Sequence, residues 1–290
     1  MSGLQSGPSA TAALHRAALG NVVGMPNSTP VNAENSGLEV TSSFVRKRNV
    51  LVAKADFSQL YVDYYLHLSD QGLKVTPEND ALFKRALAAF VLHAASRPHN
   101  ELTAWTINFQ SPLVNVFLTG DNADGSVAGR VFTDNVKEMP TNLFFTDVIQ
   151  GTQPKRRSSV EFTGGDPMVA VEAYYRQSEQ RPARYFQTGE EEFALVAAHP
   201  DYDEAWFEAL TTEQVKALAE TEELGLLEKR IHRWHCGCNQ ARMLQVLAPV
   251  FRQDADGLFG EEERIEIRCP RCAARYAITR EALEAFTAKD

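Results

Sequence analysis

Apolar residues settle into regular spacings from about Glu39 onward. Val50, Leu51, Val52 and Ala53, flanked by basic residues, have the character of a strand entering a sheet. From Ser58 to Leu68 the positions Leu60, Tyr61, Tyr64, Tyr65 and Leu68 fall at helical spacing. A second helix is predicted from about Asn79 to Ala95, with Leu82, Phe83, Leu87, Phe90 and Val91 on one side. Alternation then takes over: Thr103, Trp105, Ile107 and Phe109, next Val114, Val116 and Leu118, then a strand over Val127–Phe132 beyond the turn residues Asp121–Gly125. Val160–Phe162 reads as a further strand. Asp166 and Pro167 open another helix, the first as N-cap and the second where a missing N–H costs nothing. Arg184–Gln187 and Phe193–Ala198 read as the last strands. Helices set against an antiparallel meander give an α+β core domain over residues 39–200.

Beyond it the chain is acidic and short-periodic. Trp206, Phe207 and Leu210 mark one small helix, and Thr211 with Gln214 has the form of a capping box for a second. Leu224, Leu227 and Ile231 recur at helical spacing in a third. Helices of two or three turns depend on packing rather than propensity, so residues 201–232 are expected to form a labile helical linker. In residues 233–290, Asn239 can cap a helix carrying Met243, Leu244 and Leu247 that Pro249 ends. A strand over Glu263–Arg268, a return strand with Tyr276 and Ile278, and a last helix capped by Thr279 follow. Residues 1–38, rich in Ser, Ala, Gly, Asn and Pro, are expected to be a disordered extension with at most a marginal helix around Thr11–Leu19.

Composition narrows the partners. A formal net charge of -9 argues against attraction to nucleic acid or to an anionic membrane. No apolar run is long enough to cross a bilayer, and the start lacks a secretory pattern. The first 33 residues hold no Asp or Glu, but their one basic side chain is Arg16, which is too little for an organelle-targeting peptide. A cytoplasmic place is expected.

All 4 cysteines lie in two close pairs, Cys236-Gly237-Cys238 and Cys269-Pro270-Arg271-Cys272. Two short-spaced pairs on separate turns are the usual way to present four thiolates to one zinc ion. His232 and His235 sit beside the first pair, yet four thiolates already fill a tetrahedron, so they are expected to be bystanders. Arg268, Arg271 and Arg275 near the second pair favour the thiolate form. A closed four-thiolate site is also commonly structural, and the arginine-bearing knuckle also has the look of a nucleic-acid-binding ribbon; the acidic remainder argues against the latter. Glu190–Glu192 and Glu261–Glu263 read as solvated faces. No phosphate-cradling GxxxxGK[ST] motif and no Ser/His/Asp or paired-carboxylate arrangement stands out, so no enzyme is expected.

Taken together, the cysteine pairs, Arg242, Leu247, Ile265-Glu266-Ile267, Tyr276 and the capped last helix resemble the redox-regulated 33 kDa chaperonin family of bacteria, a heat-shock holdase. The core carries a second match: Gly165-Asp166, then a helix ending Tyr174-Tyr175-Arg176-Gln177-Ser178-Glu179-Gln180-Arg181-Pro182-Ala183-Arg184, similar to the family's "YF-x-x-SEQ-x-P-T-R" segment. The likeness covers roughly residues 40–290. The chain departs from the family at Phe109-Gln110-Ser111-Pro112, where a Gly-rich turn is usual, at Glu191-Glu192-Phe193, and in a short approach, Leu227–His235, to the first cysteine.

The resemblance implies an ATP-independent chaperone that holds unfolding client proteins once oxidation expels one zinc ion and unfolds the C-terminal switch. It implies Cys236, Cys238, Cys269 and Cys272 as metal ligands and as redox-active residues, paired Cys236–Cys238 and Cys269–Cys272 when oxidised, and a homodimer in that state. A disulfide between residues so close in sequence is strained and easily reduced, which suits a switch. It does not indicate which residues bind clients. The other reading from the residues is an interaction protein with a constitutive zinc ribbon.

Overall fold

The computed structural model describes residues 37–288. The chain divides into two compact units, Pro30–His235 and a second that contains Cys236–Asp290. The expected disorder of residues 1–38 and the helix at Thr11–Leu19 fall outside the described residues, apart from the last two positions. There Leu38 already opens a buried strand.

The first unit is built on β1 (Leu38–Val45), β2 (Val50–Asp56), α1 (Ser58–Asp70), α2 (Pro77–Ala95), β3 (Glu101–Gln110), β4 (Leu113–Asp121), β5 (Ser126–Phe132), β6 (Asn142–Gln150), β7 (Arg156–Phe162), α3 (Pro167–Gln177), β8 (Ala183–Gln187) and β9 (Glu192–Ala198). Three short helices follow, α4 (Glu204–Ala209), α5 (Thr212–Lys216) and α6 (Leu218–Thr221), and then β10 (Leu224–Trp234). The strands join in one 10-stranded sheet, ordered β7-β6-β3-β4-β5-β10-β1-β2-β9-β8. Its pairings are antiparallel except β5–β10, which are parallel over Arg233–Ser126 and Trp234–Val127.

Period-two alternation puts the two halves of each strand's side chains on opposite faces. One face packs on α1–α3 around Trp105, Phe90, Phe83, Phe57, Tyr64 and Tyr175. Val45, Val50, Val52, Phe186, Ala194, Val196 and Ala198 point to the other face, where Phe207, Leu210, Val215 and Leu218 of the 204–221 stretch cover them. Asp166 caps α3 as expected, accepting from Met168 N at 2.9 Å. Both bonds of the Thr211–Gln214 capping box form.

The helix expected over Leu224–Ile231 is instead strand β10, inserted between β1 and β5. Its pairing with β1 slips by one residue between Ser42 and Ser43, which leaves Leu227 as the extra residue of a bulge. That insertion shifts the alternation and gives Leu224, Leu227 and Ile231 a spacing that imitates a helix. Glu191, expected to be solvated, is paired with Lys84 at 2.8 Å.

The second unit comprises α7 (Gln240–Gln253), α8 (Ala255–Phe259), the hairpin β11 (Arg264–Arg268) with β12 (Arg275–Thr279), and α9 (Arg280–Thr287). Helix α7 runs on through Pro249 instead of ending there. Pro249 is exposed and removes one backbone donor, while Asp254 N still reaches Val250 O at 2.9 Å.

Candidate metal centre

Each cysteine pair is placed by a local device. Gly237, between Cys236 and Cys238, has φ 64°, a left-handed conformation that favours glycine. Its carbonyl accepts from Arg242 Nη1 at 2.7 Å, and Arg242 is itself the residue whose N–H meets the N-cap Asn239 at 3.0 Å. The start of α7 is thereby tied to the Cys-Gly-Cys turn. At the other pair, β11 and β12 bring Cys269 to the mouth of a tight turn. Ala273 N donates to Cys269 O at 2.9 Å and Cys269 N to Ala274 O at 2.8 Å. A small core of Met243, Leu247, Phe259, Ile278 and Leu283 supports both turns.

The four sulfurs converge within 4.8 Å of one another. Cys236 Sγ lies 3.7 Å from Cys269 Sγ, and Cys238 Sγ lies 3.6 Å from Cys272 Sγ. A disulfide needs about 2.05 Å, so all four are free thiols. Four sulfurs around one zinc at about 2.3 Å would be separated by about 3.8 Å along each tetrahedron edge. The donor set and its spacing therefore fit zinc. Neither His232 nor His235 belongs to the group.

Electrostatics point the same way. Hydrogen bonds from Cys236, then Cys238 and Cys272, push the Cys269 thiol far below its ordinary range. Cys272 is pushed far above it, first by Cys236. Four sulfurs this close share protons, and all four can be anionic only around a cation. Tyr276 donates its hydroxyl to Cys238 Sγ at 3.0 Å, and burial followed by that sulfur raises its own pKa. Arg271 is buried, whereas Arg268 and Arg275 are exposed. The contact of Tyr276 with Cys238 was hidden in the sequence because the two lie far apart along the chain, whereas Arg242 stands within two helical turns of the Gly237 carbonyl it meets.

A model of the Hsp33 protein family matches residues 186–279. The 33 kDa chaperonin of Proteus mirabilis is 27% identical over 207 residues, covering 59% of this chain and 70% of that protein. The 33 kDa chaperonin of Edwardsiella ictaluri is 28% identical over 197 residues, covering 59% and 64%. The crystal structure of the Thermotoga maritima 33 kDa chaperonin superposes with a TM-score of 0.67 at 14% identity, covering 88% of this chain and 99% of that one. These likenesses support the 33 kDa chaperonin family, with this chain as a diverged member.

Within that family fold, the Tyr174–Arg184 segment has a legible structural purpose. Tyr174 Oη donates to Glu179 at 2.6 Å, and Arg97 donates to both Glu179 and Glu101 at 3.0 Å. His93 Nδ1 and Tyr175 Oη lie 2.8 Å apart beneath them. Arg184 reaches across to donate to the carbonyls of Phe207 and Glu208 at 2.8 and 3.1 Å. The motif therefore ties α2, α3, β3 and α4 together.

Proposed function

We propose that this protein is a redox-regulated, ATP-independent chaperone that holds unfolding proteins. The four-sulfur cluster carries the reading: Cys236, Cys238, Cys269 and Cys272 would hold one zinc ion. Zinc, when bound, keeps the thiolates deprotonated near neutral pH. Peroxide takes two electrons from a pair of thiolates and two protons from solvent, leaving one disulfide and two waters. Following the family likeness, the pairs are Cys236–Cys238 and Cys269–Cys272. Thiolates spent in this way no longer bind metal, and a small unit folded around zinc loses on the order of 10 kcal/mol of folding energy with it. The chain is then free to loosen backward from Cys236.

Release of 203–222 would bare Val45, Val50, Val52, Phe186, Ala194, Val196 and Ala198, a continuous apolar face suited to unfolded clients. Self-association on oxidation and a cytoplasmic place, which suits four free thiols, belong to the same reading. No group is assigned a catalytic role. Strand β10 favours a second reading: it stands between α6 and Cys236 and is paired with β1 from Leu224 to His232. If it holds fast, the cysteine unit is a constitutive zinc-bearing interaction module. Peroxide at heat-shock temperature, with zinc release and suppression of client aggregation followed together, decides between them. Zinc release without suppression removes the chaperone reading, and zinc retention removes the switch.

A further inference from the structure

The stretch from Asp203 to Glu222 is held by more than apolar contact. Arg48, in the turn between β1 and β2, donates through Nη1 to Asp203 Oδ2 at 2.7 Å and through Nε to Glu222 Oε1 at 3.0 Å. Asp203 is the N-cap of α4, accepting from Trp206 N at 3.0 Å, and Glu222 directly follows α6. One guanidinium thus takes both ends of the three-helix segment. It also lies 5.4 Å from the centre of the Trp206 ring.

The turn is fixed to the same segment by its main chain. Asp203 N donates to Arg48 O at 3.0 Å and Arg46 N to Glu223 O at 3.2 Å. Arg184 holds the far end of α4, and Lys54 Nζ donates to Val215 O at 3.4 Å. Of these contacts, only those of Arg48 join two carboxylates. Without it, Asp203 and Glu222 would lose their shared counter-charge, and Glu222, with 11% of its side chain exposed, would be left poorly solvated. Because the guanidinium and Asp203 are each about one third exposed, salt screens their pair, unlike the apolar contacts beneath.

We propose that Arg48 is the positioning residue that keeps residues 203–222 on the sheet, a latch separate from the cysteine centre whose strength sets how readily they leave. The chaperone reading supplies the purpose of that release, whereas the latch rests on the clasp itself.

The test uses full-length, reduced, zinc-loaded protein and a Glu-specific protease, since Glu204, Glu208, Glu213 and Glu220 are all exposed. Arg48→Met should speed cleavage within 203–222 about tenfold with zinc content and thiol count unchanged, and Arg48→Lys should recover part of the protection. Raising salt from about 50 to about 500 mM should speed cleavage of the parent but not of Arg48→Met. Glu222→Gln, a milder change that removes one charge, should fall between parent and Arg48→Met. Parental cleavage rates in Arg48→Met, or an identical salt response in both, overturn the latch. Faster cleavage without any gain in client holding upholds the latch and removes the chaperone reading.

Discussion

Tyr276 shows how one side chain away from the sulfur pairs can govern them. Its hydroxyl donates to Cys238, the only one of the four cysteines that is not fully buried. A donor aimed at a thiolate offsets part of the charge that the metal would otherwise balance alone, and it fixes the direction of the sulfur lone pairs. Tyr276→Phe removes that donor while keeping the ring in place. Zinc affinity should fall by about tenfold, read by competition with a chromogenic chelator at neutral pH. An unchanged affinity would mean the hydroxyl contributes nothing to the centre. The convergence of the cysteine pairs was legible because two short-spaced pairs on separate turns are the usual way to bring four sulfurs to one point. Tyr276 was visible as part of a strand and of the family likeness, but nothing in the order of residues says which sulfur a phenol will meet.

Strand β10 carries a buried titratable group. His232 pairs with Leu38, is 2% exposed, and its Nε2 has no hydrogen-bond partner among the described residues. Burial, followed by the charges of Arg230 and Arg233, lowers its pKa to about 4. An unfolded histidine titrates near 6.5, so between about pH 6.5 and 4 the unfolded chain binds a proton that the folded chain refuses. The stability held at neutral pH should therefore decline as pH falls through that window, by on the order of 3 kcal/mol for this residue. Urea unfolding of the parent and of His232→Leu at several pH values checks it. The variant should show the shallower decline, with His93, whose pKa burial also lowers, present in both. Equal slopes would count against the assignment.

This strand also marks where sequence reading stopped. Helices α1, α2 and α3 and the β3–β5 meander were legible because long, unbroken periods report the buried face directly. The capping box at Thr211 and the N-caps Asp166, Asn239 and Thr279 were legible because each is a contact within a few residues. Strand β10 was not, because its bulge breaks the two-residue period and its placement depends on β1, almost two hundred residues earlier. Strand β6 was missed for a related reason. It pairs with β3 and β7, but its outward positions are a mixture of Leu143, Phe145 and Asp147 without clean alternation.

The separation into two units permits a test of how far loss of the metal is felt. The cysteine unit is small, with a core of few side chains, and a domain of that size usually needs a metal or crosslinks to stay folded. Removing zinc from the reduced protein with a chelator should therefore cost the helical signal of α7 and α9 in far-UV circular dichroism. All 3 tryptophans, Trp105, Trp206 and Trp234, lie outside that unit. Trp206 sits under Arg48 on α4, and Trp234 packs on Tyr64 at a ring-centroid distance of 5.3 Å. Unfolding that starts at Cys236 must first strip β10 from β5 and β1 before it reaches α4–α6. Chelation near 25 °C should thus diminish the dichroism while leaving tryptophan emission unchanged. The emission should move only when the temperature is raised enough to loosen β10, and in Arg48→Met it should move at a lower temperature. A shift in emission that accompanies chelation at once would mean that β10 is no barrier and that the metal alone holds the acidic helices in place.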